Sequence, residues 1–203
     1  MLDSKTTAAI SDAVHELEGC SCAEIVVEIR SRSGSYAHAD ARFASGLAFL
    51  ALLVLLFSPW TFGAGWVVID VALSWGIGWF IASRSDFVRR LMTSEGERKA
   101  QVHLVASSVF HDRGVANTQE ETGVLVYLSL LEQRMELLAD RGVLKAVPSL
   151  DWNQIIAIVR ARRASTETML ETLRALMPLL ERHLPIREGD VDELCNVPRF
   201  VTE

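Results

Sequence analysis

The sequence predicts an α/β fold, a small mixed sheet flanked by helices, with a transmembrane helical hairpin inserted into it. Three observations lead there. Two apolar runs, residues 43–57 and 65–82, each reach membrane-spanning length once their uncharged shoulders are included. Two β-favouring segments, 23–30 and 123–130, flank the hairpin and a further helical pattern, a crossover that implies a parallel, right-handed unit. A third segment, 134–140, follows the second after a three-residue connection, which makes that pair antiparallel.

The length of 203 residues suits one discontinuous domain, 1–41 with 84–203, around a hairpin at 42–83. Twenty Lys+Arg against 26 Asp+Glu leave a net charge of −6. That balance offers no electrostatic footprint for nucleic acid. The 3 cysteines cannot all pair within the chain, so a disulfide scaffold is excluded and a reducing compartment is the simpler assumption.

Along the chain, Ala9, Ile10, Ala13, Val14 and Leu17 form a helical stripe within residues 4–17, which Gly19 ends. Residues 23–30 read AEIVVEIR. Ala23, Ile25, Val27 and Ile29 share one face and Glu24, Val26, Glu28 and Arg30 the other, the pattern of a half-buried strand.

The two apolar runs come next. FASGLAFLALLVLLF at 43–57 stays uncharged through Phe62, and GWVVIDVALSWGIGWFIA at 65–82 carries the single charge of the region, Asp70. Pro59, Gly63 and Gly65 break the helix between them, so two antiparallel spans with a tight turn are expected. Trp60 and Trp66 sit beside the turn and Trp79 near the other end, where indole rings favour the headgroup zone. Gly76, Gly78 and the Ser74/Gly78 spacing permit close helix approach. With the first run beginning only at residue 43, a cleaved signal peptide is not expected. Arg30, Arg32 and Arg42 precede the hairpin and Arg84, Arg89 and Arg90 follow it, while the turn has no Lys or Arg. The positive-inside rule then predicts a two-pass inner-membrane protein with both termini and the soluble domain in the cytoplasm. Asp70 lies roughly 7.5 Å of helix rise from Gly65. It reads either as a proton-carrying or ligand-contacting group, or as an interfacial residue bonded to Thr61, Ser58 or water.

Beyond the spans, Phe87, Val88, Leu91 and Met92 alternate with Arg89 and Arg90, as in a short interfacial segment. Ser94 with Glu97 forms a capping box, opening a helix to about residue 112 with Val102, Val105, Ala106, Val109 and Phe110 inward. Gly114 ends it and residues 116–122 read as loop. GVLVYLSL at 123–130 fits a central strand covered on both faces. In the alternating segment 134–140, Met135, Leu137 and Ala139 share a face. Two helices close the domain. Residues 151–163 carry Trp152, Ile155, Ile156 and Val159, and residues 166–183 carry Met169, Leu173, Leu176 and Leu180, with Pro178 kinking the second or marking its last turns. The acidic tail from Ile186 is expected to lie across the surface.

Candidate chemistry is sparse. Glu24 begins the first strand and Asp140 ends the third, and strand ends of α/β sheets are where ligands usually sit. Facing one crevice, the two carboxylates would hold a hard cation such as Ca²⁺ or Mg²⁺ through oxygen. The alternative makes Glu24 a solvated strand residue and Asp140 the cap of the Arg141-Gly142 turn. Glu188, Asp190, Asp192 and Glu193 form an acidic run, a cation site or a solvated face. His103 and His111 are roughly 12 Å apart along a helix, too far to share a metal. No P-loop, G-x-G-x-x-G, H-E-x-x-H or G-x-S-x-G is present.

The order of these pieces resembles a known family. Residues 122–129, TGVLVYLS, are similar to the "(N/T)-G-V-L-φ-φ-V-S" strand of the TPM family, named for thylakoid-lumen, photosystem-repair and receptor-modulating proteins. Residues 132–143, EQRMELLADRGV, resemble its "E-R-φ-E-φ-φ-A-D-x-G-φ" hairpin, with Gln133 in place of Arg. Trp152 to Ile155 matches its "W-x-x-I", and His183-Leu184-Pro185 its "H-F-P". Asp190, Glu193 and Leu194 stand where it has "D-x-N-E-L", with Cys195-Asn196 in place of its Pro-Asp, and Cys22-Ala23-Glu24-Ile25 where many members read "S-G-E-I". The likeness covers residues 1–40 and about 95–195 and points to bacterial membrane proteins with a two-helix insertion after the first strand. It implies an α/β sandwich. Some members are described as acid phosphatases or bind divalent cations, and others assemble or modulate membrane complexes. Two functions are therefore expected of this chain. It is a binding or assembly module at the cytoplasmic membrane face, with the lipid bilayer and a membrane protein complex as partners, or it is a divalent-cation-dependent acid phosphatase.

Overall fold

The computed structural model describes residues 4–187, 193–194 and 197–202. The described residues fall into two compact units, one of residues 1–33 with 99–203 and the other of residues 34–98.

The first unit is built on a four-stranded mixed sheet of order β3-β2-β1-β4. The strands are β1 (Glu24–Arg30), β2 (Gly123–Ser129), β3 (Arg134–Ala139) and β4 (Arg199–Val201). As expected, β1 and β2 pair in parallel, Glu24 opposite Gly123 and Arg30 opposite Ser129, while β2 and β3 pair antiparallel. The sheet is covered on both faces. Helices α1 (Ser4–Glu18), α7 (Ser149–Ala161) and α8 (Thr166–His183) pack Ile10, Val14, Leu17, Trp152, Leu173 and Leu176 against Ile25, Val27, Val126 and Leu128. On the opposite face, Val102, Ala106, Val109 and Phe110 of α5 (Glu95–Asp112), with Val115 of a 3₁₀ turn at Val115–Asn117, pack on Val26, Leu125 and Tyr127. Each such aliphatic or aromatic side chain withdrawn from water is worth about 1.5–3 kcal/mol.

Three expectations need correction. β1 is not half-buried, because Glu24, Val26 and Glu28 lie under a covered face and every residue before Arg30 is buried. The tail adds a strand, β4, parallel to β1 through Glu28 to Arg30, rather than merely crossing the surface. Residues Arg141–Ala146 form a short helix, α6, where a turn was expected. Gly142 sits inside it, because a Cβ there would meet the carbonyl oxygens of Glu120 and Glu121 at 2.5 and 2.6 Å. Helix α8 spans Thr166–His183 as expected, with Pro178 in its last turns. Gly114 closes α5 in the left-handed conformation at φ 70°, as a helix-ending glycine should.

The second unit holds α2 (Ala37–Phe57), α3 (Ala64–Arg84) and the short α4 (Asp86–Met92), and α5 begins here with the Ser94 hydroxyl accepting from the Glu97 N–H. α2 starts before the apolar run itself. Both long helices are 21 residues, about 31 Å of rise, and are long and apolar enough to cross a membrane. Only 17% and 6% of their most apolar windows are buried. Gly78 sets their approach, since a Cβ there would meet Cα of Ala44 at 2.8 Å. Gly76, expected to share that role, faces open space.

Candidate functional site

Glu24 and Asp140 do lie at one end of the sheet. Glu24 opposes Gly123, and the Asp140 N–H donates to the Gly123 carbonyl at 2.9 Å, so β2 stands between them. Two strand spacings separate their backbones by about 10 Å. That end carries the amino termini of the parallel strands, whereas the ligand-binding rule applies to the carboxyl ends. The carboxyl ends of β1 and β2 lie at the opposite edge, beside Arg30 and Ser129. Each carboxylate also has a local task. Glu24 Oε2 accepts from the Leu194 N–H at 3.2 Å, and Asp140 caps α6 by accepting from the Arg141 N–H at 2.7 Å. Asp140 Oδ2 is buried without a hydrogen-bond partner. Among the described residues no group of three or more His, Cys, Asp or Glu could hold a metal ion. Glu188, Asp190 and Asp192 lie outside the described residues, as do Cys195 and Asn196, while Glu193 accepts from the Gln119 N–H at 3.1 Å.

The carboxyl edge holds a polar network that sequence reasoning missed. Glu132, in the turn between β2 and β3, accepts from the Ser33 N–H at 2.9 Å and from the Ser129 hydroxyl. The Ser33 hydroxyl in turn bonds Tyr127 Oη and Ser129 Oγ, each at 2.8 Å. All four side chains are buried. Burial pushes the Tyr127 phenol up to about 12, against the lowering effect of its bond to Ser33. A serine beside a carboxylate has the composition of a base-activated hydroxyl. Here Ser129 is fully enclosed, and the four side chains tie this edge of the sheet together.

The buried carboxylates of Glu28 and Glu136 are paired as well. Glu28, fully buried on β1, lies between Arg30 Nε at 2.7 Å and Arg113 Nη2 at 2.8 Å. Glu136 meets His103 Nδ1 at 3.1 Å and Arg160 at 3.4 Å. Burial, with Glu181 nearby, raises the Cys20 thiol. A signal was available for Glu28 alone, as a carboxylate at a strand centre. Its partner Arg113 stands 85 residues away and has no local signature.

Between α7 and α8 a cleft of about 320 Å³ is lined by Met135, Ile155, Ile158 and Ala175, with the Arg162–Glu171 ion pair among its walls. It is mainly apolar and gathers no titratable cluster. In the other unit, Asp70 is half-buried in the second turn of α3. Its expected bonds to Thr61 or Ser58 are not made. The Ser58 hydroxyl accepts from the Trp60 N–H instead.

The chain is similar to a solved bacterial protein, the NMR structure of BA42 from the psychrophilic Bizionia argentinensis. The identity is 16% over 99% of this chain and 96% of that one, with a TM-score of 0.59. At that identity the likeness speaks to the fold alone. No family model matches the chain, and no curated protein matches it.

Proposed function

We propose that this chain is a two-pass membrane-anchored module of the TPM type, whose α/β domain binds partners at the cytoplasmic face. The observation that carries the reading is the uncovered apolar surface of α2 and α3, where Leu50, Val54, Phe57, Trp66, Leu73 and Phe80 are all exposed. A patch of that extent on a soluble monomer would be an aggregation site, and a bilayer is the solvent it suits. The arginines on both flanks and their absence from the turn support a cytoplasmic domain. The mutual satisfaction of Glu28, Glu132 and Glu136 inside the domain, beside an apolar cleft between α7 and α8, supports binding over catalysis.

Alkaline carbonate extraction of membranes carrying the full chain should leave it in the pellet. Protease added to inside-out vesicles should degrade the domain, and protease added to spheroplasts should spare it. Release by carbonate, or digestion from the outer side, overturns the reading.

A second reading, a divalent-cation-dependent phosphomonoesterase, is favoured by one feature, the buried and unpartnered Oδ2 of Asp140 near Glu24. It requires Mg²⁺- or Ca²⁺-dependent hydrolysis of an aryl phosphate by the full chain, lost in Asp140→Asn. Turnover no faster than in buffer leaves the binding module alone.

A further inference from the structure

Helix α4 directly follows the second long helix and turns its two largest apolar side chains outward. Phe87 is 69% exposed and Leu91 63%. They are four residues apart, hence on one face of the helix. Solvent exposure of both would be unremarkable on a loose segment, but α4 is pinned at three points within its own unit. The Ser85 hydroxyl caps its start by accepting from the Val88 N–H at 3.4 Å. Arg89, on the inward face, donates to both oxygens of Asp40 on α2, Nε at 3.0 Å and Nη2 at 2.9 Å. Asp40 is itself buried there. At the other end Arg98 Nη1 reaches the carbonyls of Arg90 at 2.6 Å and Thr93 at 2.9 Å. The outward face is therefore a held conformation.

Two cations stand beside it, together with the exposed Asp86 carboxylate that opens α4. Arg84 lies over the Phe80 ring, 5.1 Å from its centroid, and Arg90 donates to the carbonyl of Asp86. Neither forms an ion pair with any described residue. Two apolar side chains at i and i+4, with unpaired arginines at the end of an apolar hairpin, match the acyl-headgroup boundary of an anionic leaflet.

We propose that α4 is a third membrane contact, an interfacial foot in which Phe87 and Leu91 enter the acyl boundary while Arg84 and Arg90 hold anionic lipid headgroups. The proposal rests on the membrane reading above and names the lipid it prefers. Pinned by Asp40, the foot fixes the cytoplasmic end of the hairpin at a set depth.

The test uses the full chain in vesicles, with Cys20→Ser, Cys22→Ala and Cys195→Ser as background. A spin label is placed through Phe87→Cys, through Leu73→Cys on the apolar surface of α3, or through Glu167→Cys on the domain surface. Accessibility to oxygen against a water-soluble nickel chelate reports depth. The label at 87 should behave like that at 73 in phosphatidylcholine vesicles containing phosphatidylglycerol, and opposite to that at 167. Because the label replaces one apolar anchor, the reading is repeated through Leu91→Cys with Phe87 intact. Arg84→Gln with Arg90→Gln should abolish the extra depth gained from phosphatidylglycerol. A label in water at both 87 and 91, with 73 in lipid, overturns the foot and spares the anchor. A label in water at 73 overturns the anchor itself. Equal depth with and without phosphatidylglycerol overturns the anionic preference.

Discussion

The carbonyl of Ser33 accepts a 3.0 Å hydrogen bond from Nε2 of Gln101, joining residues 68 apart in sequence. Ser33 is the last residue of the first stretch of the α/β unit, and Gln101 stands near the start of the second. The chain therefore leaves and re-enters this unit at one point. Glu132 reinforces the point by holding the Ser33 N–H, and Ser129 and Tyr127 hold the Ser33 hydroxyl. An insertion between positions so joined costs the sheet little, because loop closure has already been met by the host fold.

Glu132→Ala should be among the most damaging single changes in the α/β unit. It strands the buried Ser33 N–H and removes the acceptor of the Ser129 hydroxyl, and a stranded buried group costs about 1–3 kcal/mol. With two groups affected, a loss of roughly 2–6 kcal/mol is expected. Urea unfolding of the chain in detergent measures it. A midpoint equal to that of the parent would show that the network contributes nothing to folding.

Tyr127 gives the fold an alkaline limit. Its phenol is raised from 10.0 to about 12 by burial, so the folded state holds its proton where the unfolded chain has lost it. The stabilisation is complete below pH 10, declines between 10 and 12, and is gone above. The span of about two pH units corresponds to roughly 2–3 kcal/mol. Tyrosinate absorbance of the folded chain should show one of its 2 tyrosines titrating near 12. Tyr127→Phe should lose about 1 kcal/mol at neutral pH, the worth of one hydrogen bond, and flatten the alkaline decline. An unchanged pH profile in that variant would assign the decline to another group.

Much of this architecture was legible as periodicity. Alternation in residues 23–30 and 134–140, the unbroken β-favouring run at 123–130 and the two long apolar stretches each mark an element that exists. What stayed hidden depends on partners distant in sequence. β1 reads as half-buried because Glu28 looks like a solvent-facing residue, and only Arg113, brought in by α5, makes its burial tolerable. β4 is three residues long and shows no period. Ser33 is one serine in a polar stretch, and its role appears only when β1 and β2 bring Tyr127 and Ser129 beside it. Gly142 reads as a turn residue, yet it is required by the close passage of the Glu120 and Glu121 carbonyls.

The two glycines of α3 should respond in opposite ways. A methyl at Gly78 would meet the Ala44 Cα at 2.8 Å and Leu47 Cδ2 at 3.3 Å, so Gly78→Ala must push α2 and α3 apart. Overpacking of this kind typically costs about 1–3 kcal/mol. Gly76→Ala meets nothing within 4 Å and adds a better helix former. Thermal unfolding in detergent should therefore fall for the first and hold or rise for the second. A matching fall for both would mean that the spans do not touch through Gly78.

The Asp40–Arg89 pair should control α4 more than global stability. Its side chains are 4% and 13% exposed, and the carboxylate takes both guanidinium bonds, which raises the Arg89 pKa further. Removing one partner of a buried pair typically costs about 3–5 kcal/mol, because the other charge is left enclosed. That exceeds what a seven-residue helix can supply, as isolated helices of this length are unstable in water. Asp40→Ala should consequently release α4 while the sheet stays folded. Trypsin would then cut after Arg89 and Arg90 many times faster than in the parent, and amide exchange would rise over residues 86–92 but not over β1 or β2. Replacing both residues, Asp40→Asn with Arg89→Met, removes the enclosed charge and should recover part of the protection. Equal cleavage in parent and Asp40→Ala would show that Ser85 and Arg98 hold the helix without the ion pair.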